Sequence, residues 1–462
     1  MEIQHVKSGQ KPFWKTGGLA LALATVMACG GGGGGSAPAD TSTPVVAPTP
    51  TPAPTPTPTP TPTPSPVVAA LIQSFTLANP ATRATVNQDA KTITLHVPAG
   101  TAVTSLAPKI QLAAGCSIAP ASDAPQDFSQ AVTYTVTDAQ SQQTQFTASV
   151  DASVPTATEV AAMLGNGINL GNTLDAPNEG EWTNGVKAQE GYFVDYKNAG
   201  LQSVRIPITW GAHFGTSAPY TVDPTFLARV EQVAGWGVDR GLTVVINAHH
   251  EKWLKADYAG QKARFQALWT QISNHFAAWP PQLVFEILNE PQDKMTAADV
   301  NDVNATILPI IRAKNPTRTV IIGAGEMNGL WALINSGFAV PNDTHLIATF
   351  HYYTPWNFAG LSQGTWGTAN DLASIENDFT AIETWSSTNQ IPLYMGEYGA
   401  IIRTGGITTD AASRLKWYSE VPKRAKAHHI ALAAWEDSGD FGIYHRGTRS
   451  WETAILDAIS GK

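Results

Sequence analysis

The chain is poor in cysteine and in charge. Only two of its 462 residues are cysteine, and 14% are charged, with a formal net charge of −9. An acidic balance disfavours nucleic acid and anionic membrane surfaces as partners, and it suits a neutral ligand that needs no opposing charge. With so little cysteine, the stability of the fold must come from burial of a hydrophobic core rather than from a disulfide framework.

The N-terminus has a basic start followed by an apolar run at residues 19–28, which is too short to span a bilayer. This pattern is typical of a secretory signal. The tetrapeptide VMAC, which ends at Cys29 and leads into a glycine run, resembles a bacterial lipoprotein signal. We therefore expect a signal at residues 1–29 and a lipid on Cys29, which leaves Cys116 without a disulfide partner. Ordinary cleavage after Ala28 with full secretion is the alternative.

Either outcome places the protein outside the cytoplasm, extracellular or on the outer-membrane cell surface. Membrane contact is then expected only through the lipid on Cys29. Residues 30–66 are glycine-rich and then consist mostly of Thr-Pro and Ala-Pro pairs. Proline fixes φ and removes backbone donors, so this segment is expected to be an extended, semi-rigid linker.

Residues 67–151 show a different pattern, with alternating apolar runs at 92–97, 131–136 and 145–150. Alternation with a period of two predicts strands that are buried on one face. Turn-forming residues separate the runs, so a small β-sandwich of immunoglobulin type is expected. No row of aromatics suggests a sugar-stacking surface here. A spacer domain is the simpler interpretation, and carbohydrate binding remains the alternative.

Eight apolar runs recur through residues 152–462, and most are continuous rather than alternating. Continuous runs predict strands buried on both faces, as in a parallel sheet. Helical stretches such as 225–240 and 262–279 separate them. We therefore predict a (β/α)8 TIM barrel with its functional groups at the C-terminal strand ends. The runs cover residues 165–172, 203–209, 243–250, 283–290, 319–325, 345–353, 392–399 and 431–437.

Two of these runs end in a carboxylate, Glu290 in FEILNEP and Glu397 in YMGEYGA. Two carboxylates on strand ends of one barrel are the minimum equipment for glycoside hydrolysis. A third carboxylate, Glu286, shares the strand parity of Glu290 but lies four residues earlier, ~13 Å along a strand. That distance exceeds the ~5 Å of a retaining pair and the ~9.5 Å limit of an inverting pair. Glu286 is therefore expected deeper in the barrel, in a buried polar network.

Polar and aromatic residues accompany the two glutamates. Arg205 lies inside a buried run, where an unpaired charge is costly, so Glu397 is its expected partner. His249 and His250 are adjacent on one strand and point to opposite sides, which disfavours a ready metal site. Four tryptophans stand at or just after strand ends, and we take Trp435 as the best candidate for a sugar platform. The other three are Trp210, Trp253 and Trp356.

Taken together, the motifs of residues 158–462 resemble glycoside hydrolase family 5, in particular its bacterial endoglucanases and endo-mannanases. The motifs that carry this resemblance are GINLGNTLDAPNEGEW, VRIPITW, VVINAHHE, FEILNEP, HYYTPW, MGEYGA and the AWED strand. The resemblance implies that Glu290 is the general acid/base and that Glu397 is the nucleophile of a retaining reaction. An acid that stays protonated needs a raised pKa, which is expected for Glu290.

The resemblance also implies a set of supporting residues. The supporting catalytic residues are Arg205, His249, Asn289, His351, Tyr353 and Trp435. Substrate binding is expected at Asn172, Asp175 and His250, and also at the strand-end tryptophans Trp210 and Trp356. The expected substrate is a cellulose-type β-glucan, with β-mannan and xyloglucan as alternatives on the same site. No cofactor and no metal are expected, and we expect a monomer.

Two readings from other functional classes remain open. A non-catalytic glycan-binding surface protein on a degenerate barrel predicts that one of the two glutamates is missing, yet Glu290 and Glu397 are both present. A metal-dependent hydrolase needs His249, His351 and Glu397 to converge on one point, and it predicts that a chelator abolishes activity.

Overall fold

The computed structural model of the protein describes residues 70–460. The predicted signal at residues 1–29, the lipid expected on Cys29 and the predicted linker at residues 30–66 lie outside the described residues. Among residues 70–460, none of the helices combines the length and hydropathy that crossing a membrane requires.

The first part of the described chain is an all-β domain. Its eight strands form a three-stranded sheet of order β2-β1-β5 and a five-stranded sheet of order β3-β4-β8-β7-β6. Side chains that alternate along the strands, such as Phe75, Tyr134 and Phe146, fill the core of this domain. The predicted strands at 92–97, 131–136 and 145–150 are confirmed. The strands are β1 (Ile72–Ala78), β2 (Ala81–Arg83), β3 (Thr85–Asn87), β4 (Thr92–His96), β5 (Lys109–Leu112), β6 (Ser117–Ala119), β7 (Val132–Thr137) and β8 (Gln143–Asp151).

The second part is a closed parallel barrel, as the continuous apolar runs predict. Eight strands pair in the order β10-β11-β12-β13-β14-β15-β18-β9. Every residue of these strands is buried, because the helices cover one face and the barrel interior the other. The strands are β9 (Asn166–Asn169), β10 (Ser203–Ile206), β11 (Thr243–Asn247), β12 (Leu283–Glu286), β13 (Val320–Gly323), β14 (Leu346–Tyr352), β15 (Leu393–Tyr398) and β18 (Ala431–Ala434).

Helices surround the barrel, and three of them begin with a capping box. In each, the threonine side chain accepts from the backbone N–H of an acidic residue three positions later, and that acidic side chain accepts from the threonine N–H. The three threonines are Thr156, Thr296 and Thr368. The predicted helical stretches at 225–240 and 262–279 are confirmed. The helices are α1 (Ala157–Leu164), α2 (Glu190–Asn198), α3 (Pro224–Val238), α4 (Lys252–Ala256), α5 (Tyr258–His275), α6 (Ala297–Arg312), α7 (Gly325–Asn328), α8 (Leu330–Asn335), α9 (Trp356–Ala359), α10 (Ala369–Asn389), α11 (Ala411–Ala427) and α12 (Thr453–Ser460). Two small hairpins, β16 (Arg403–Thr404) with β17 (Ile407–Thr408) and β19 (Tyr444–His445) with β20 (Ser450–Trp451), complete the fold.

The β-domain contacts the barrel through loops that precede strands β11 and β12. Arg83 donates to Asp239 at 2.7 Å and lies over the Trp279 ring at 4.6 Å. The backbone N–H of Arg83 also donates to the Ala278 carbonyl at 2.6 Å. These loops belong to the N-terminal face of the barrel, whereas catalytic groups of such barrels sit at the opposite, C-terminal face. The β-domain therefore leaves the C-terminal face of the barrel uncovered.

Candidate active site

A buried arginine organises the barrel mouth. The guanidinium of Arg205, on β10, donates to Glu286 at 2.6 and 2.8 Å, to Asn169 at 2.9 Å, to Glu397 at 2.7 Å and to Asn289 at 2.7 Å. Arginine has five N–H donors, and all five have a partner here. The predicted pairing with Glu397 is confirmed, and Arg205 also fixes the Asn289 side chain.

Glu286 takes the structural place predicted for it. It is fully buried, and both of its oxygens accept from Arg205. Strand β12 ends at Glu286, however, and the chain then turns, so that Glu290 adopts a left-handed φ of 43°. Residues 286–290 therefore do not form one continuous strand, and the assumption that Glu286 and Glu290 point to the same side of it is wrong. The two glutamates nevertheless have different roles, as predicted.

Glu397 lies on β15 with both carboxylate oxygens occupied. Oε1 accepts from Arg205, and Oε2 accepts from the Tyr353 hydroxyl at 2.9 Å. Burial and the nearby Glu397 charge raise the pKa of Tyr353 well above its ordinary value, so its hydroxyl remains a donor. The two donors fix the orientation of the carboxylate.

Glu290 pairs with a histidine. His351 Nδ1 lies 3.0 Å from Glu290 Oε1 and 3.5 Å from Glu397 Oε2. Burial favours the neutral Glu290 carboxyl, but the hydrogen bond and charge of His351 outweigh burial and lower the pKa of Glu290. The raised pKa expected for this residue is therefore wrong. Glu290 and His351 thus form a hydrogen-bonded pair beside Glu397.

The two strand-end carboxylates come close together. One oxygen of Glu290, one oxygen of Glu397 and a ring nitrogen of His351 all lie within 4.8 Å of one another. The side chains are slightly accessible, 14% for Glu290 and 6% for Glu397, so a ligand in the barrel mouth can reach both. The predicted convergence of the two glutamates is thus present.

His249, after β11, is oriented by a neighbour two residues earlier. Asn247 Oδ1 accepts from the Ile208 N–H, so the Asn247 amide NH2 points at His249 Nδ1, 3.1 Å away. Nδ1 must therefore accept, and the ring proton lies on Nε2. Burial, followed by the nearby His250 and Arg205, lowers the pKa of His249 well below its usual value and keeps the ring neutral. Nε2–H is left as a donor beside Asn289.

Asp175, His249 and His250 also offer ligand atoms within 4.8 Å of one another. A metal there needs the lone pair of a histidine nitrogen, yet the Asn247 amide places the proton of His249 on Nε2. Asp175 instead accepts two backbone N–H groups, from Asn172 at 3.0 Å and Thr173 at 2.6 Å. Its side chain has no accessible surface, so the direct sugar contact expected of Asp175 is wrong. Its role is to shape the loop that carries Asn172.

The tryptophans divide into two groups. Trp435 is 8% exposed, and its ring lies 5.9 Å from the His249 ring at an angle of 9°. Trp356 is partly exposed, and its ring lies 6.2 Å from that of Tyr353. Trp210 is fully buried, and its indole N–H donates to the Asn247 carbonyl at 2.9 Å. The prediction that Trp210 binds substrate is therefore wrong: it ties β10 to β11.

Sequence reasoning missed several residues of the site. Asn169 accepts from Arg205 and donates to the Gly396 carbonyl at 3.0 Å. Trp182 is partly exposed, with its ring 5.7 Å from that of His250. Asn247 lies two residues before His249, so its side chain points to the same side of the strand, and the sequence alone could have indicated this. The position of Trp182 depends on a long loop, and no sequence pattern indicated it.

Comparison with known proteins agrees with this geometry. A family model described as cellulase (glycosyl hydrolase family 5) matches residues 164–439, and one described as SGBP, N-terminal, matches residues 72–150. Endoglucanase H of Acetivibrio thermocellus is 43% identical over 65% of this chain and 33% of its own length. Endoglucanase B of Clostridium cellulovorans is 32% identical over 64% of this chain and 73% of its own length. The chain thus spans about a third of the first of these relatives.

A solved structure described as endoglucanase Cel5A from Thermotoga maritima aligns with a TM-score of 0.63 and 36% identity, covering 66% of this chain and all of that one. The range of the family model includes the eight barrel strands and both glutamates, and it agrees with the resemblance seen in the motifs. On the extent of the family match and the similarity to these relatives, the chain belongs to glycosyl hydrolase family 5.

Proposed function

We propose that the protein is an endo-β-1,4-glucanase that cleaves cellulose-type β-glucan with retention of anomeric configuration. The observation that carries the proposal is the approach of Glu290 and Glu397 oxygens to within 4.8 Å. Carboxyl groups of retaining enzymes lie about 5–5.5 Å apart, whereas inverting enzymes need about 6.5–9.5 Å to admit a water. The separation supports direct attack by one carboxylate on the sugar.

In the first step Glu397 attacks the anomeric carbon. The hydrogen bonds from Arg205 and Tyr353 orient its carboxylate for this attack. Glu290, hydrogen-bonded to His351, gives a proton to the glycosidic oxygen as the bond to the leaving sugar breaks. In the second step Glu290 takes a proton from water, which attacks the anomeric carbon and frees Glu397.

Two donors converge where a sugar hydroxyl would lie. Asn289 Oδ1 accepts from Arg205, so its NH2 faces the cleft, and it stands 3.5 Å from His249 Nε2. Since Nε2 also carries a proton, these atoms do not bond to each other and both are available to one acceptor. A hydroxyl oxygen beside the anomeric centre supplies that acceptor, and such bonds strengthen in the transition state. Trp435 and Trp356 are proposed to pack on sugar rings, with Asn172 and His250 binding hydroxyls.

A β-mannan is the second candidate substrate. One related structure is described as Thermotoga maritima Cel5A in complex with mannotriose, and it shares 36% identity with this chain. Glucan remains the leading proposal because the related proteins are described as endoglucanases; xyloglucan is a further alternative on the same site.

We further propose that the protein is a monomer and that it acts at the cell surface. It is attached there through a lipid on Cys29 and the extended linker at residues 30–66. The β-domain, which contacts the face of the barrel opposite the glutamates, is proposed as a spacer. Membrane fractionation of the wild type and of Cys29→Ala tests the anchor: the wild type should partition with membranes and the variant should be released.

The function is tested with the purified protein on carboxymethylcellulose and glucomannan. Wild type is expected to cut at least one polymer, and Glu397→Gln is expected to lose at least ~10³-fold in rate. Glu231→Gln, the same chemical change on the outer helix α3, is the matched control and should keep its rate. A 2-deoxy-2-fluoro cellobioside with a good leaving group should label Glu397 covalently, which mass spectrometry of the peptides detects. A fully active Glu397→Gln variant would falsify the proposed mechanism.

A further inference from the structure

Three consecutive residues after β13 adopt a left-handed backbone. Glu326, Met327 and Asn328 have φ values of 52°, 59° and 54°, and none of them is glycine. Left-handed geometry is unfavourable for residues with a Cβ, and a run of three is therefore strained. Such strain persists where surrounding contacts over-determine the backbone, and it concentrates at functional sites.

The strained segment is attached to both members of the hydrogen-bonded pair Glu290 and His351. The Met327 N–H donates to the carbonyl of Pro291, directly after Glu290, at 3.1 Å. Residue Gly329, directly after the segment, forms a parallel bridge with His351. The segment thus joins the loop of Glu290 to the strand of His351.

The Asn328 side chain makes the most direct contact. With its amide oriented so that NH2 donates to the Ala324 carbonyl at 3.0 Å, its oxygen accepts from the Glu290 N–H at 3.2 Å. Asn328 is fully buried, and its amide occupies the space that a Cβ at position 323 would need, where the chain has glycine. Glu290 is itself left-handed, with a φ of 43°. Asn328 therefore bonds the backbone of a residue whose conformation is itself unfavourable.

We propose that Asn328 is a positioning residue for proton transfer. It holds the left-handed backbone of Glu290 so that the carboxyl group lies against His351 Nδ1 and points at the glycosidic oxygen. The segment 326–328 is the strained support that keeps Asn328 in place. This proposal rests on the proposed function, since it assigns Asn328 to the acid/base half of that reaction.

The test measures acid catalysis separately from overall folding. Asn328→Ala and Asn328→Gly both remove the amide, and the glycine variant also keeps the left-handed backbone accessible. Each is assayed in the full chain for kcat/KM on a series of aryl β-cellobiosides. Substrates with poor leaving groups need the proton from Glu290, so their kcat/KM is expected to fall about 10²-fold. The 2,4-dinitrophenyl substrate needs no proton, and its kcat/KM should fall less than ~3-fold.

Gln390→Gly is the matched control, because it removes an amide side chain from an exposed left-handed residue at the end of α10, which does not contact Glu290. It should leave kcat/KM unchanged for every leaving group. A uniform loss across leaving groups in both Asn328 variants, or no loss, overturns the positioning role. A wild type that hydrolyses none of the cellobiosides or polymers overturns the proposed function instead, so that the two failures are distinguishable.

Discussion

Arg205 bonds Glu286 through two hydrogen bonds and Glu397 through one, so a single guanidinium serves a structural carboxylate and the proposed nucleophile together. Both carboxylates lie in a barrel mouth with little or no accessible surface. A change at Glu286 must therefore reach Glu397 through the arginine they share.

Glu286→Gln is expected to lower both the stability of the protein and its kcat. The substituted amide turns an NH2 group toward the donors of Arg205, and breaking such a buried pair costs about 3 kcal/mol. The released guanidinium shifts from Glu397, which should lower kcat by at least ~10-fold. Denaturant unfolding measures the first effect and the polymer assay the second, with Glu231→Gln as the control for both. Unchanged stability would contradict the buried network.

Asn247→Asp should invert the hydrogen bonding of His249. A carboxylate accepts from Nδ1–H, so Nε2 becomes an acceptor and no longer donates to a sugar hydroxyl. Loss of this bond is expected to lower kcat/KM about 10-fold. In a His249→Ala background the same substitution should have no further effect, and a double-mutant cycle measures this. An additive cycle would show that Asn247 acts by another route.

The stability of the protein is expected to depend on pH through Asp437. Burial, followed by the charge of Glu436, raises the pKa of Asp437 to about 7, against about 3.9 in an unfolded chain. Between these values the folded state binds the proton and the unfolded state does not, so this group's contribution to stability falls as pH rises from about 4 to about 7. Asp437→Asn keeps an oxygen for the N–H groups of Gly439 and Phe441 and carries no charge.

Thermal melts of wild type and Asp437→Asn across this pH range check the prediction. The melting temperature of the wild type relative to the variant should drop by at least ~3 °C between pH 4 and pH 8. The two proteins should have their most similar melting temperatures at the acid end, where Asp437 is protonated. A constant difference over the whole range would show that Asp437 does not titrate there.

Arg83→Ala should loosen the β-domain from the barrel without affecting catalysis. The substitution leaves the partly buried Asp239 without its guanidinium partner beside the Val86 N–H and removes the packing over Trp279, for a cost of about 2 kcal/mol. Calorimetry is expected to show a separate, earlier transition, while activity at moderate temperature stays unchanged, because the contact lies on the face opposite the glutamates. Lys109→Ala, on an exposed part of the same domain, should behave as wild type in both measurements.

The order of the barrel strands and the identity of Glu290 and Glu397 were accessible from the sequence. Burial on both faces of a strand requires a continuous apolar run, and parallel strands bring their C-terminal ends to one rim. These local rules also placed Glu286 apart from Glu290 and paired Arg205 with Glu397. The motifs then predicted the family and the residues that surround the two carboxylates.

Only the tertiary structure decided how the residues beyond the strand ends are used. Trp210 and Asp175 come after barrel strands, which is the position expected of substrate-binding residues, yet both side chains are buried in the protein. Glu290 is hydrogen-bonded to His351, across 61 positions in the chain, and this contact reversed the expected direction of the Glu290 pKa. The physical reason is that strand parity ends where the strand ends, and beyond that point long-range packing and hydrogen bonds set each side chain's direction.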